Sequence, residues 1–243
     1  VLYLLISYKR NFFKTFYESG FPGFIAGVFL SIGFAAYVFA MYTTTVANAN
    51  FIIATETIFL VLLGYFFLRE KINSIILISI FLGISGVLLI LGSSLSIQSP
   101  EQFVGNLVAF IMPISFAVLV VIVRKNPKVD MVPAQFTAGV LAALIGLVVA
   151  GKLSISFHDL MLAFLAGFFQ VGLGFILITV GSQTTPAAVV GILMLIETVL
   201  GPLWAWLFVH ETPPISVIIG GGIIIFSILL QSLCSVIFSR FPH

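Results

Sequence analysis

The sequence predicts an all-helical integral membrane protein built from two inverted five-helix repeats, and three observations support this fold class. Residues of the apolar classes make up 61% of the 243 residues, whereas Asp, Glu, Lys and Arg make up 7%, against about 25% in ordinary soluble domains. Apolar runs of membrane-spanning length follow one another along the chain. One stretch of the first half recurs in the second half with its acidic residues in register.

The composition excludes a soluble fold. A core of this size needs a water-facing shell, and 10 Lys and Arg with 8 Asp and Glu cannot cover it, so the surface faces hydrocarbon. The single Cys234 cannot form an internal disulfide, and no Cys or His pair has a zinc-ligand spacing. We therefore predict membrane lipid as the surroundings, no metal or other cofactor, and no nucleic-acid partner.

Eight apolar runs have about the 20 residues that a helix needs to cross the hydrocarbon core. A shorter run at residues 1–8 ends at Lys9 and Arg10, and we interpret it as the tail of one more span in an N-terminally truncated chain. The eight predicted spans cover 22–41, 47–68, 73–92, 103–123, 132–151, 159–180, 187–209 and 215–238.

The distribution of Lys and Arg predicts the orientation. If the segment that follows the stub is cytoplasmic, alternation places nine of the ten basic residues on the cytoplasmic side and only Lys152 on the other. Cytoplasmic loops retain Lys and Arg selectively. We therefore expect a multi-pass protein of the cell (inner or plasma) membrane with a cytoplasmic C-terminus. The nine residues are Lys9, Arg10, Lys14, Arg69, Lys71, Arg124, Lys125, Lys128 and Arg240.

An internal repeat divides the chain. Residues 44–89 align without gaps with residues 185–230, which pairs Glu56 with Glu197. The same register pairs Glu70 with Glu211. Because the chain has only six glutamates, two glutamate pairs in one register indicate a repeat and not chance.

The alternation of spans places the two copies upside down relative to each other. Glu70 falls on the cytoplasmic side and Glu211 on the opposite side, which an odd number of spans per unit requires. We predict five-helix repeats at 1–92, with the first truncated, and at 103–238. Inverted five-helix repeats are a recurrent plan of secondary transporters, in which two access states have similar energy.

Short motifs in both copies resemble a known family. The first copy contains Ala-Thr-Glu at 54–56 and Phe-Phe-Leu-Arg-Glu at 66–70. The second copy contains Thr-Thr-Pro-Ala-Ala at 184–188, Leu-Ile-Glu at 195–197 and Trp-Ala-Trp-Leu-Phe-Val-His-Glu at 204–211. They resemble the paired EamA repeats of the drug/metabolite transporter superfamily. The resemblance implies ten helices with both ends cytoplasmic, of which this chain lacks the first and most of the second. The chain departs from the family at Thr57 and Thr198, because the family often has Pro directly after the mid-helix Glu. The kink expected from that Pro is therefore not expected from these residues.

Glu56 and Glu197 are the acidic residues deep inside predicted spans. A charged carboxylate at that depth is costly, so each is expected to be protonated, hydrogen-bonded inside the bundle or next to a wet cavity. One interpretation makes them proton-coupling or substrate-amine groups, with protons as the coupling ion. The other makes them structural residues that fix the packing of neighbouring helices. The duplication is compatible with both.

Four further residues are candidates for the same site. Asn48 shares a helical face with Glu56, and Trp204 shares one with Glu197. Tyr37 and Gln170 lie in helices that line the cavity in the family that the chain resembles. For each residue, a hydrogen bond between helices is the alternative role. Gly83, Gly86 and the run at 220–222 predict close helix contacts, within one chain or at a homodimer seam.

The predicted function is transport of a small molecule by alternating access. No Lys or Arg lies within a predicted span, so a neutral, zwitterionic or cationic solute, amino-acid-like or drug-like, fits better than an anion. A membrane-embedded enzyme is one alternative, but His158 and Asp159 are the only adjacent pair with suitable chemistry. A scaffold that transports nothing is another, and it would give no reason for matched acids in inverted copies. A Walker-type nucleotide-binding loop is absent from the sequence.

Overall fold

The computed structural model describes residues 12–44, 46–91, 99–149, 155–210 and 215–240. The predicted N-terminal stub, Lys152 and Glu211 lie outside these ranges. Within them, all the regular structure is helical. In chain order the helices are α1 Phe12–Thr43, α2 Val46–Ala54, α3 Glu56–Leu68, α4 Ser74–Leu91, α5 Pro100–Ala109, α6 Ile111–Lys125, α7 Pro133–Val149, α8 Phe157–Leu165, a π-helix Ala166–Leu173, α9 Gly174–Ser182, α10 Ala187–Met194, α11 Ile196–Val209 and α12 Ile215–Arg240.

Each of the eight predicted spans corresponds to a helix or to two or three consecutive helices. By length and hydropathy, four described stretches can cross a membrane: Lys14–Thr43, Asn48–Leu68, Pro100–Lys125 and Phe157–Ser182. Four shorter apolar helices occupy the other predicted spans: Ser74–Ile90, Pro133–Val149, Ala187–Leu200 and Ile215–Gln231. The prediction of an all-helical membrane protein is therefore confirmed.

Three spans are interrupted near their middle. α5 and α6 meet at Phe110, one turn before Pro113, whose ring clashes with the carbonyl four residues earlier. α2 and α3 meet at Thr55, and α10 and α11 meet at Leu195, although neither break has a proline within the next turn. At the first of these breaks, the Thr55 hydroxyl donates to the carbonyl of Ile52. The chain therefore breaks these helices without the proline that the family often has.

The first helix changes direction at Gly20. This residue has φ 54° and ψ −154°, a backbone conformation open to glycine because it has no Cβ. Pro22 follows two residues later, where a helix begins easily because the missing N–H is not needed. The predicted span 22–41 therefore lies within α1, and a helical segment from Phe12 precedes it.

The helices pack mainly across the two halves of the chain. α1 lies against α5, α6 and α7, α3 lies against α6 and α10, and α4 lies against α12. The contact between α4 and α12 is close at Gly86 and Gly220, where a Cβ on either glycine would lie 2.7 Å from the backbone oxygen of the other. Gly83 likewise faces Leu195. These glycines are used within one chain, and a homodimer stays a prediction.

The span that contains α8, the π-helix and α9 packs against the core at one end only. No residue of α8 or of the π-helix is buried, whereas Thr179 and Ser182 of α9 are. The ring of Phe175 packs edge-on against Phe34 and Phe116, with centroids 5.0 and 6.0 Å apart. The second half of this span therefore joins the core, and the first half exposes apolar side chains.

Candidate mid-membrane acidic site

The two predicted acids lie immediately after helix breaks. Glu56 is the first residue of α3 and is 6% exposed. Glu197 is the second residue of α11, and its side chain is more exposed. Interrupted helices are a common construction for sites at the membrane midplane, because the break frees backbone groups there. Both carboxyl groups are thus in a position to exchange a proton or to bind an ammonium group.

Glu197 lies within electrostatic range of two of the other predicted residues. Glu197 is close enough for its charge to act on both Glu56 and Tyr37. Tyr37 is half-buried on α1, so the three side chains come from α1, α3 and α11. Glu197 of the second half of the chain is therefore within electrostatic range of one acid and one phenol of the first half.

A hydrogen bond between helices fixes the wall next to Glu56. The hydroxyl of Thr57 donates to the carbonyl of Gly191 over 3.0 Å, and both residues are buried. A Cβ at Gly191 would lie 2.8 Å from the Cα of Thr57. Glycine at this position therefore lets α10 approach α3 closely enough for the bond.

Asn48 belongs to a different polar cluster. Its amide Nδ2 donates to the hydroxyl of Thr44 over 3.1 Å, and that hydroxyl donates to the Oδ1 of Asn106. Asn48 is buried and lies about two turns before Glu56. These bonds join the start of α2 to α5, which is the helix-joining role that the sequence left open for Asn48. A direct contact with a substrate stays a prediction.

Of the remaining two candidates, Gln170 and Trp204, only Gln170 has a described side chain. Gln170 is exposed on the π-helix. A π-helix of this length is rare, and such segments occur frequently at functional sites. Trp204 lies in α11, and its side chain lies outside the described set.

A second charged feature was not predicted as a unit. The Glu70 carboxylate accepts bonds from Nη2 and Nε of Arg124 over 2.8 and 3.1 Å, and from the backbone N–H of Ala187 over 2.9 Å. We call these three residues the Glu70 clasp. Arg69, in the left-handed conformation with φ 56°, turns the chain so that the N–H of Glu70 reaches the carbonyl of Gly64 over 3.2 Å.

A cavity of about 290 Å³ adjoins this clasp. Glu70, Lys71, Ile76, Ala188 and Gln231 are among its lining residues. Its walls include neither Glu56 nor Glu197, so it is separate from the mid-membrane acids. Its lining residues come from α3 and α12, from the loop that contains Glu70, and from the starts of α4 and α10.

The pair His158 and Asp159 was the candidate for an enzymatic site, and the structure gives Asp159 a structural role. Asp159 accepts a 2.7 Å bond from the hydroxyl of Ser156, whose oxygen in turn accepts the N–H of Asp159 over 3.1 Å. This is the reciprocal arrangement of a helix cap. Asp159 is therefore explained by the start of α8. Within the described residues, no group of three or more His, Cys, Asp or Glu side chains is arranged to hold a metal ion.

Apolar helices, mid-span breaks and acids at those breaks define a multi-pass membrane protein with the construction of a transporter. The family model for the EamA-like transporter family matches residues 1–92 and 103–233. The chain belongs to that family, which is a family of transporters and not of enzymes.

Two curated relatives agree with this assignment. An uncharacterized transporter of Clostridium kluyveri is 26% identical over 201 residues, which is 79% of this chain and 65% of the relative. An uncharacterized transporter of Methanothermobacter thermautotrophicus is 26% identical over 184 residues, covering 73% and 53%. The chain thus spans less than two thirds of the length of either relative.

A solved crystal structure has the same fold. It aligns with a TM-score of 0.71 at 16% sequence identity and covers 92% of both chains. At this identity, the similarity establishes the fold alone.

Proposed function

We propose that the protein is a secondary transporter that moves a neutral, zwitterionic or cationic small molecule by alternating access around Glu56 and Glu197. The observation that carries the proposal is the position of these acids. Each follows a break in the corresponding span of its own half of the chain, and the two carboxyl groups interact electrostatically. A site shared between two repeats at such breaks is the arrangement that alternating access uses.

The backbone supports the inverted repeat that this mechanism needs. The register that pairs Glu56 with Glu197 also pairs Arg69 with His210, and both have left-handed φ angles, 56° and 59°. Left-handed backbone is uncommon for residues other than glycine. Its occurrence at two matched positions, directly after α3 and α11, indicates a shared local structure.

Contacts between the repeats support a twofold relationship as well. Gly86 of α4 packs on Gly220 of α12. In the register of the repeat, Gly86 corresponds to Ser227 and Gly220 corresponds to Ser79. Ser227 and Ser79 also meet, because the Ser227 hydroxyl donates to the Ser79 carbonyl over 2.7 Å. Such paired contacts are what a pseudo-twofold axis between α4 and α12 would produce.

The proposed orientation is supported by the loops that meet at the Glu70 clasp. Glu70 lies in the loop before α4, Arg124 lies at the end of α6, and Ala187 starts α10. The positive-inside alternation assigns all three positions to the cytoplasmic side. We therefore propose that the clasp faces the cytoplasm of the cell, with the C-terminus on the same side.

The substrate class follows from the charges around the site. The predicted spans contain no Lys or Arg, and Glu56 and Glu197 supply negative charge or proton-binding capacity. A solute with an ammonium group, or a proton in exchange for a solute, is therefore compatible with the site. A solute with net negative charge would lack a cation to pair with.

Transport assays test the proposal directly. The full-length protein would be reconstituted in liposomes with an imposed pH gradient and assayed for uptake of a panel of amino acids and lipophilic drug cations. We expect uptake of at least one solute above that of protein-free liposomes. No flux of any solute, with or without the gradient, would count against a transporter.

A further inference from the structure

The Glu70 clasp joins the two halves of the chain at one end of the bundle. Glu70 belongs to the first repeat, whereas Arg124 and Ala187 belong to the second. Both carboxylate oxygens are used, one for the guanidinium and the other for the N–H at the start of α10. The positive end of the α10 helix dipole adds to the attraction for the carboxylate. The contact therefore lies at the boundary where two repeats would move against each other.

The burial of the clasp suits a contact that opens and closes. The side chains of Arg124 and Glu70 are 19% and 16% exposed. Charge-assisted bonds with two partners are among the stronger polar contacts. However, partial exposure means that water can solvate both charges once they separate, so opening avoids the large penalty of leaving a bare charge in hydrocarbon.

Space for such a movement adjoins the clasp. The cavity of about 290 Å³ lies against Glu70 and Ala188 and extends to Gln231 on α12. Among the described residues, the buried side-chain oxygen Oε1 of Gln231 has no hydrogen-bond partner, and a buried polar atom left unpaired raises the energy of this state. The clasp thus stabilises the closed state at this end of the protein, whereas the unpaired Gln231 oxygen next to it destabilises that state.

We propose that the Glu70 clasp is the gate of this end of the protein, and that Glu70 and Arg124 control access to the mid-membrane acids by breaking and re-forming their contact in each cycle. This inference rests on the proposed transport function. A structural contact, in contrast, would stay intact throughout the cycle.

A disulfide across the clasp tests the gate. A Cβ on Gly64 would lie 3.2 Å from the Cβ of Ala187, close to the separation of about 3.5–4.5 Å that disulfides have. The variant Gly64→Cys/Ala187→Cys would be made in a Cys234→Ser background, which removes the single native cysteine. We expect oxidation to lower solute uptake at least tenfold and reduction to restore it.

The matched controls are the two single-cysteine variants. Gly64→Cys and Ala187→Cys, each made alone in the Cys234→Ser background, carry the same substitutions but cannot form the cross-link. Each single variant should transport equally well under oxidising and reducing conditions. Unchanged uptake by the fully cross-linked Gly64→Cys/Ala187→Cys variant would overturn the gate. Absence of uptake from the parent protein itself would instead count against the transport function.

A second measurement tests the gate without a substrate or a cross-link. Met194→Cys, in the Cys234→Ser background, places a thiol one turn before Glu197, and its labelling by a membrane-impermeant maleimide reports access from the clasp side. We expect Glu70→Gln to increase the labelling rate about tenfold, because the lost charge-assisted bond favours the closed state by an amount of that order. Glu101→Gln, at an exposed acid of α5, should leave the rate unchanged.

The two variants of Arg124 separate a gate from a packing contact. Arg124→Lys keeps a positive charge and should retain slow labelling in part, whereas Arg124→Gln should label as fast as Glu70→Gln. Thermal unfolding in detergent would be followed in parallel. Folded Glu70→Gln and Arg124→Gln proteins with the labelling rate of their parent would overturn the proposal.

Discussion

The hydroxyl of Thr57 and the carbonyl of Gly191 form a 3.0 Å hydrogen bond between α3 and α10, directly beside the buried Glu56. Thr57 stands where the related family often has proline, a residue that could not supply this hydroxyl. The bond joins the first half of the chain to the second at the depth of the candidate site. The residue that departs from the family pattern is therefore the one that fixes the local packing.

Replacing Thr57 by Val tests this role. Valine keeps the shape of the side chain but removes the donor, so the Gly191 carbonyl loses this bond. We expect a loss of about 1 kcal/mol in the free energy of unfolding, the order of a hydrogen bond between helices in a membrane. Equilibrium unfolding in detergent would measure this loss of free energy. Thr57→Ser retains the hydroxyl and should be closer to the parent, and equal stability of the Val and Ser variants would contradict the role of the bond.

Close packing of α4 against α12 leads to a second prediction. A Cβ at Gly220 would lie 2.7 Å from the carbonyl oxygen of Gly86 and equally close to Ile90. Gly220→Ala should therefore separate the helices and lower stability by about 1–3 kcal/mol, the range of overpacking substitutions. Gly222 is two residues further along the same helix and has open space at its Cβ position.

Gly222→Ala is thus a matched control. It should be neutral or slightly stabilising, because alanine has the higher helix propensity. Equal melting temperatures for the Gly220→Ala and Gly222→Ala proteins would mean that the packing of α4 on α12 does not contribute to stability.

The mid-membrane acids lead to a third prediction. Glu56→Gln and Glu197→Gln remove the ionisable group but keep the shape, so each should abolish solute accumulation driven by a pH gradient while exchange of solute continues. Uptake and counterflow in liposomes distinguish the two processes. Glu101→Gln, at an exposed acid near the start of α5, should leave both processes intact. Loss of folded protein in the Glu56 or Glu197 variant would instead favour the structural interpretation of these acids.

The positions of the spans could be predicted because hydrocarbon imposes both their length and their composition. The break at Phe110 has a visible cause in Pro113, since proline disrupts the turn before it. The break at Thr55 has no such cause in the sequence, where Thr57 replaces proline. Thr57, two residues after the break, bonds to Gly191 of another helix, and tertiary contacts of this kind leave no periodic signal.

The candidate site could be predicted in part for the same reason. Glu56 and Glu197 are conspicuous because acids within apolar runs are rare. The register of the repeat also singled out Glu70, but it gave no indication that the partner is Arg124, 54 residues away. Asn48 was placed with Glu56 from the spacing of its helix, and spacing alone could not show its bond to Thr44. Pairing across helices depends on how the spans are arranged around one another.

The span from Phe157 to Ser182 leads to the last prediction, because Phe175 is its main aromatic contact with the core. Its ring packs edge-on against Phe34 of α1 and Phe116 of α6, and edge-to-face pairs contribute beyond the area they bury. Phe175→Ala should cost about 2 kcal/mol, less than a fully buried phenylalanine because the ring is half-buried. Phe164 lies in α8 with an exposed side chain, so Phe164→Ala should have little effect. Hydrogen exchange would report the loosening as faster exchange in residues 174–182 of the Phe175→Ala protein. Similar exchange in the two variants would show that Gln135, whose Nε2 donates a 2.7 Å bond to the Thr179 hydroxyl, holds α9 in place without the aromatic contacts.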